Sequence, residues 1–145
     1  MTEKQKSSRV LAALLVICLA AALVLGVRAH QLSNQKDQLA YNTLNSQLNY
    51  VQTVLVTMED EAQWNTGVSL LSMYPGDIYQ VKDREDNQEI VDMLWNLQNV
   101  YGDEPQRAQI MEGLKELKIS RDTENMTFTI LEGDAEAITE LCKLS

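Results

Sequence analysis

The chain has 145 residues, 21 acidic and 12 basic, for a formal net charge of −9, with one His, two Cys, six Gly and two Pro. That length suits one domain and is short for two sizeable ones. Lys4, Lys6, Arg9 and Arg28 flank the first apolar run, so the residues after Arg28 hold 8 basic against 20 acidic side chains, a net of −12. Phosphate repels such a charge, which speaks against nucleic acid as a partner and against a domain lying flat on anionic lipid. Composition also excludes collagen-like, Pro-rich and disulfide-stapled classes.

Residues 10–27, VLAALLVICLAAALVLGV, run for eighteen positions without a charge or a side-chain amide. As a helix they measure roughly 27 Å at 1.5 Å rise per residue, enough to cross a bilayer core. In hydrocarbon each backbone amide must pair within its own segment, so a helix is the form expected. Lys4, Lys6 and Arg9 against Glu3 on the short side favour residues 1–9 as a cytoplasmic tail and the remainder outside. The partner expected for residues 10–27 is membrane lipid. Cys18, Ala22 and Gly26 recur every four residues, a small-residue stripe of the kind that packs membrane helices together, self-association included.

A cleaved signal peptide is the competing expectation, with the cut before His30. The apolar run is longer than the usual signal core of about 7–15 residues and reaches Arg28 without a polar break. A retained signal-anchor is therefore expected. Mass spectrometry of the mature chain checks this, and a mature N-terminus at His30 would overturn it.

Residues 31–64 contain no Gly or Pro, and residues 28–74 read as a long coil-like helix. Tyr41, Leu44, Leu48, Val51, Leu55, Met58 and Ala62 alternate spacings of three and four, an a/d seam. No charged residue stands between Asp37 and Glu59; Asn42, Asn45, Asn49, Gln38, Gln47 and Gln52 occupy polar positions, with Gln35 and Asn65 nearby. A two-stranded coiled coil exposed to water carries charges beside its seam. Their absence favours an intramolecular bundle over a dimeric stalk. Glu59, Asp60 and Glu61 read as a solvated helix face, and residues 74–77 as a reversing turn.

Residues 75–145 form the small acidic α+β region. Asp86 with Glu89 suggests a capping box opening a helix through Ile90, Val91, Leu94, Leu97 and Tyr101. Asp103 is the expected cap of a further helix through Ile110, Met111, Leu114 and Leu117. Residues 117–120 and 126–130 alternate as hairpin strands, with Phe128 and Ile130 inward. Asp134 caps a last helix bearing Ile138, Leu141 and Leu144. The fold class is thus mainly α: one transmembrane helix, a long amphipathic helix in a small bundle, and a C-terminal β-hairpin plus helix.

Motifs for chemistry are missing. The only imidazole, His30, reads as an interfacial polar residue at the membrane exit. Two Cys and one His cannot build a soft-metal site, and Cys142 reads as a core side chain. Residues 83–89 imitate a calcium loop but lack its central Gly and a correctly spaced terminal Glu. Residues 125–127 match a glycosylation triplet. No catalytic residue, cofactor or metal is expected. The layout is similar to that of bitopic envelope proteins, bacterial division-complex coil proteins among them, in organisation alone.

The expected function is a non-catalytic, single-pass, membrane-anchored interaction protein. Tyr50, Trp64, Tyr74, Tyr79 and Trp95 are its candidate partner contacts. A small-ligand sensor with an amide-lined pocket between helices is the alternative, and an acid-pair hydrolase follows it.

Overall fold

The structure is a computed structural model that describes residues 3–58, 60–73, 84–100 and 104–144. The chain divides into two compact units, Met1–Lys36 and Asp37–Ser145. Helix α1, Glu3–Thr53, runs through both. In the first unit every described side chain from residue 11 to residue 36 is exposed.

In the second unit α1 is followed by a 3₁₀ turn, Leu55–Thr57, and by α2, Glu61–Leu71. A second 3₁₀ turn, Arg84–Asn87, leads into α3, Gln88–Leu97; α4 is Glu104–Glu116, and α5, Ala135–Lys143, ends the fold. Strands β1, Lys118–Asp122, and β2, Thr127–Glu132, pair antiparallel, with Ile119 opposite Ile130 and Arg121 opposite Phe128. The class read from the sequence is the one found: mostly helical, with a two-stranded hairpin and a closing helix.

The apolar seam of α1, continued by Leu55 of the 3₁₀ turn, forms one side of the core. Tyr41, Leu44, Leu48, Val51 and Leu55 are all 0 % exposed within a single chain, so the seam is covered intramolecularly. The Tyr41 ring stacks on Phe128, centroids 4.8 Å apart and planes 21° apart. That contact joins α1 to β2. Helix α5 packs against both α3 and α4, and Gln106 Nε2 donates to Leu141 O at 2.6 Å to pin its C-terminal turn.

The long helix is shorter than its Gly- and Pro-free stretch implies. It stops at Thr53, where Thr53, Val54, Val56 and Thr57 crowd β-branched side chains that lose χ1 freedom in a helix. Asp60 then caps a new helix, its carboxylate accepting from Ala62 N at 2.8 Å and Gln63 N at 3.2 Å. Asp60 is therefore a cap and not part of a continuous helix face; Glu59 lies outside the described residues. The seam breaks with the helix: Met58 is half-buried and Ala62 exposed. Gly67 on α2 is buried, and a Cβ there would stand 2.5 Å from Met58 Sδ and 2.8 Å from Leu55 Cδ1. Close approach is the reason for this glycine.

The hairpin is displaced toward the C-terminus from its expected limits. Asp122 Oδ1 accepts from Glu124 N at 2.9 Å and Asn125 N at 3.0 Å, so the turn closes beyond Asp122 and keeps Arg121 in the ladder. These hydrogen bonds, from Asn125 first, hold the Asp122 carboxyl below its ordinary range. Met126, at φ 58°, is left-handed and ends the turn instead of starting β2. In α5 the Asp134 cap is as expected, accepting from Ala137 N at 2.8 Å. Ile138 is buried and Leu141 half-buried, but Leu144 is exposed and Cys142, four residues after Ile138, takes the inward place. Tyr101, Asp103 and the turn at 74–77 lie outside the described residues.

Gly133 links β2 to α5 at φ +89°, and a Cβ there would meet Leu117 Cα at 2.8 Å. Both the dihedral and the backbone contact forbid a side chain. Gly133→Ala is expected to lower stability by about 1–3 kcal/mol, read from denaturant unfolding followed by tryptophan fluorescence.

Candidate functional site

The uncharged stretch of α1 has a specific structural use. Asn45, Asn49 and Gln52 lie at i, i+4 and i+7, on one helix face. Arg121 reaches them from β1: Nε donates to Asn45 Oδ1 at 2.7 Å, and Nη2 to Asn49 Oδ1 and Gln52 Oε1, both at 3.0 Å. Gln52 Nε2 in turn donates to Leu117 O at 2.8 Å. A guanidinium is thus gripped by three side-chain amide carbonyls, with Nη1 donating to Ile119 O at 3.3 Å, and among the described residues it forms no ion pair. The amides fasten the hairpin to α1. Two of the remaining amides satisfy each other, Gln38 Nε2 donating to Asn42 Oδ1 at 3.3 Å.

Asn87 does similar work on the other edge of the hairpin. It is fully buried; Phe128 N donates to its Oδ1 at 2.9 Å, and its Nδ2 donates to Met126 O at 3.2 Å. The side chain acts as one more peptide group paired to β2. This replaces the expected capping box: Asn87, not Asp86, takes the N-cap position of α3, and it makes no side-chain cap bond. Asp83 lies outside the described residues.

The three described aromatic candidates, Tyr50, Trp64 and Trp95, differ in exposure. Trp64 is 0 % exposed and its Nε1 donates to Val100 O at 3.2 Å, so it is a core residue out of a partner's reach. Trp95 is 49 % exposed on the outer side of α3. Tyr50 is half-buried, donating to Gly67 O at 3.3 Å, and burial pushes its hydroxyl pKa up. Tyr74 and Tyr79 lie outside the described residues. Cys18, Ala22 and Gly26 are exposed along α1, with nothing within 4 Å of a Cβ built at Gly26. His30 is exposed on the same helix, its Nε2 lying 3.4 Å from Asn34 Nδ2.

One pocket carries an unusual polar group. It has a volume of about 250 Å³ and is lined by Gln47, Tyr50, Leu70, Leu71 and Met73. Gln47 is 1 % exposed, yet neither Oε1 nor Nε2 has a hydrogen-bond partner. Leaving such a group unpaired costs roughly 1–3 kcal/mol. The ligand-pocket expectation foresaw several amides converging; one does, because Asn45, Asn49 and Gln52 serve Arg121.

Acidic side chains dominate a shallow cleft between α3 and α5, where Glu89, Asp92, Glu136 and Glu140 stand with Lys143. Lys143 Nζ donates to Glu140 Oε1 at 2.7 Å, which raises its pKa. Among the described residues no group of three His, Cys, Asp or Glu is placed to hold a metal ion. Burial pushes the Cys142 thiol up to about 12, which keeps it protonated and inert at neutral pH. Among the described residues one helix, near the N-terminus, is long and apolar enough to cross a membrane; its best 18-residue window has a mean hydropathy of 2.6 and is 0 % buried. The chain matches no known family model, no curated protein and no solved structure.

Sequence reasoning missed Arg121 and Asn87 because both act between elements distant in the chain. Arg121→Met is expected to lower stability by about 1–3 kcal/mol and to speed hydrogen exchange in β1 and β2. Arg121→Lys should restore little, since an ammonium cannot fork to three carbonyls as the planar guanidinium does. Unchanged hairpin exchange in Arg121→Met would show that the clamp is not what holds the hairpin.

Proposed function

We propose that the chain is a single-pass membrane protein anchored by residues 10–27, with residues 1–9 in the cytoplasm. It presents a non-catalytic, acidic, mostly helical domain outside the cytoplasm for binding another protein. The observation that carries this reading is the exposure of the apolar half of α1. Between Leu11 and Val27, ten large apolar side chains are 55–71 % exposed, and they lie all round the helix. Water does not tolerate that much continuous apolar surface, and hydrocarbon does. With the span in lipid, its backbone remains satisfied by the helix alone.

Charge supports the remainder of the reading. Residues 37–145 hold 7 basic against 20 acidic side chains. Such a domain is repelled by anionic headgroups and is complementary to a partner with a basic surface. Binding by those charges weakens as salt screens them. The non-catalytic reading rests on the chemistry at hand: the only imidazole, His30, is exposed and its hydrogen-bond neighbour is the Asn34 amide, which is not a nucleophile.

Replacing Leu15 and Leu19 together by Arg places two charges mid-span, each opposing insertion by about 2.5–3.5 kcal/mol. The doubly substituted chain is expected to leave the membrane fraction on an alkaline carbonate wash that retains the parent chain. A C-terminal tag on the parent chain should be digested by protease added to intact cells or spheroplasts. A tag that survives until lysis would reverse the orientation, and a parent chain released by carbonate would remove the anchor.

A further inference from the structure

Gln47 stands one helical turn from Leu44 and Val51 in a helix otherwise closed by its apolar seam. Any aliphatic side chain of similar size would fill that place without an unpaired donor and acceptor. The amide therefore marks the pocket as more than a fault in packing. Its other walls are Tyr50 from α1, Leu70 and Leu71 from α2, and Met73 just beyond. Among the described residues no charged side chain lines it, and an ionised ligand would lose its hydration against these walls with no counter-charge from them to replace it.

A volume of about 250 Å³ corresponds to roughly eight waters of liquid. That admits a small molecule and excludes a folded partner. A primary amide offers an acceptor and a donor side by side on one edge. Its best complement is a group presenting a donor and an acceptor in the same arrangement, as the cis amide of a ring does. Leu70 and Met73, 43 % and 76 % exposed, stand at the mouth. Both polar atoms of Gln47 are buried, so a ring reaches the amide edge as the flexible methionine and the leucines beside it move outward.

We propose that this pocket binds a small, uncharged, mainly apolar molecule carrying a cis amide, of the lactam or cyclic-imide class. Gln47 pairs with both of its polar atoms, while Tyr50, Leu70, Leu71 and Met73 enclose the ring. This inference stands apart from the membrane-anchor reading, since every residue it uses lies in the unit Asp37–Ser145.

The test uses the full chain, uniformly labelled with nitrogen-15, in phosphatidylcholine nanodiscs. Three probes are titrated: ε-caprolactam, its N-methyl derivative, which lacks the donor, and cycloheptanone, which has only the acceptor. The Gln47 side-chain resonance, assigned by its loss in Gln47→Leu, is expected to shift saturably with ε-caprolactam. The other two probes should bind at least tenfold more weakly. In Gln47→Leu, shifts at the Leu70, Leu71 and Met73 backbone amides on adding ε-caprolactam should fall to the level of lipid partitioning. Equal affinity for the three probes, or undiminished binding by Gln47→Leu, would reduce the pocket to a greasy cleft. Absence of any saturable shift would overturn the site altogether. The three-probe comparison decides the matter in the parent chain even if the substitution harms folding.

Discussion

Every element after Leu55 is too short to keep its shape alone, and the seam from Tyr41 to Leu55 is the surface that gathers them. A ten-residue helix such as α3 and a nine-residue helix such as α5 fall below the length at which isolated helices persist in water. A two-stranded hairpin is no better placed. Each gains stability by burying one face, and five seam residues at 0 % exposure give those faces a common floor. The second unit is therefore stable as a whole or not at all, since removing the seam would strip the partner from several marginal elements at once.

The polar chemistry of α1 follows from the same arrangement. At the half-buried positions 45 and 52, carboxylates would give Arg121 formal partners but would lose part of their hydration on docking, a penalty that can exceed the Coulombic gain. Neutral amides accept from the guanidinium without adding a charge that needs its own shell. They also carry donors, and Gln52 uses one to hold Leu117 O. The charge-free stretch between Asp37 and Glu59 thus looks like a coiled coil that lost its flanking charges, yet it is a binding surface for one arginine of the same chain.

Much of the fold was legible because its signals are local. The apolar run of residues 10–27, the seam, the hairpin and the Asp134 cap each announce themselves within a few residues. The break at Thr53 was legible too: Asp60 precedes Gln63 by three residues, the spacing of a cap box. The absence of Gly and Pro outweighed it. Arg121 and Asn87 were not legible. The α1 amides that hold Arg121 lie 69–76 residues away and the β2 groups paired to Asn87 lie 39–41 away, and nothing in a side chain's identity names a partner at that distance. Among the aromatic residues, sequence could rank hydrophobic area but not direction; Trp64 points into the core and Trp95 outward.

Among the described residues two buried polar groups remain unpaired, the Tyr41 hydroxyl and the Gln47 amide, and they differ in what they imply. Tyr41 contributes a ring that stacks on Phe128. Its hydroxyl accompanies useful apolar area, and burial pushes its pKa up without giving it a role. Gln47 contributes no such ring, and a leucine or methionine would cover its surroundings as well. Where propensity, pattern and packing agree nearly everywhere, a residue that breaks the agreement without a compensating contact points to a use outside the fold itself. On that reasoning the local flaw at Gln47 says more about activity than the larger, better-satisfied network around Arg121, whose hydrogen bonds are all accounted for by architecture.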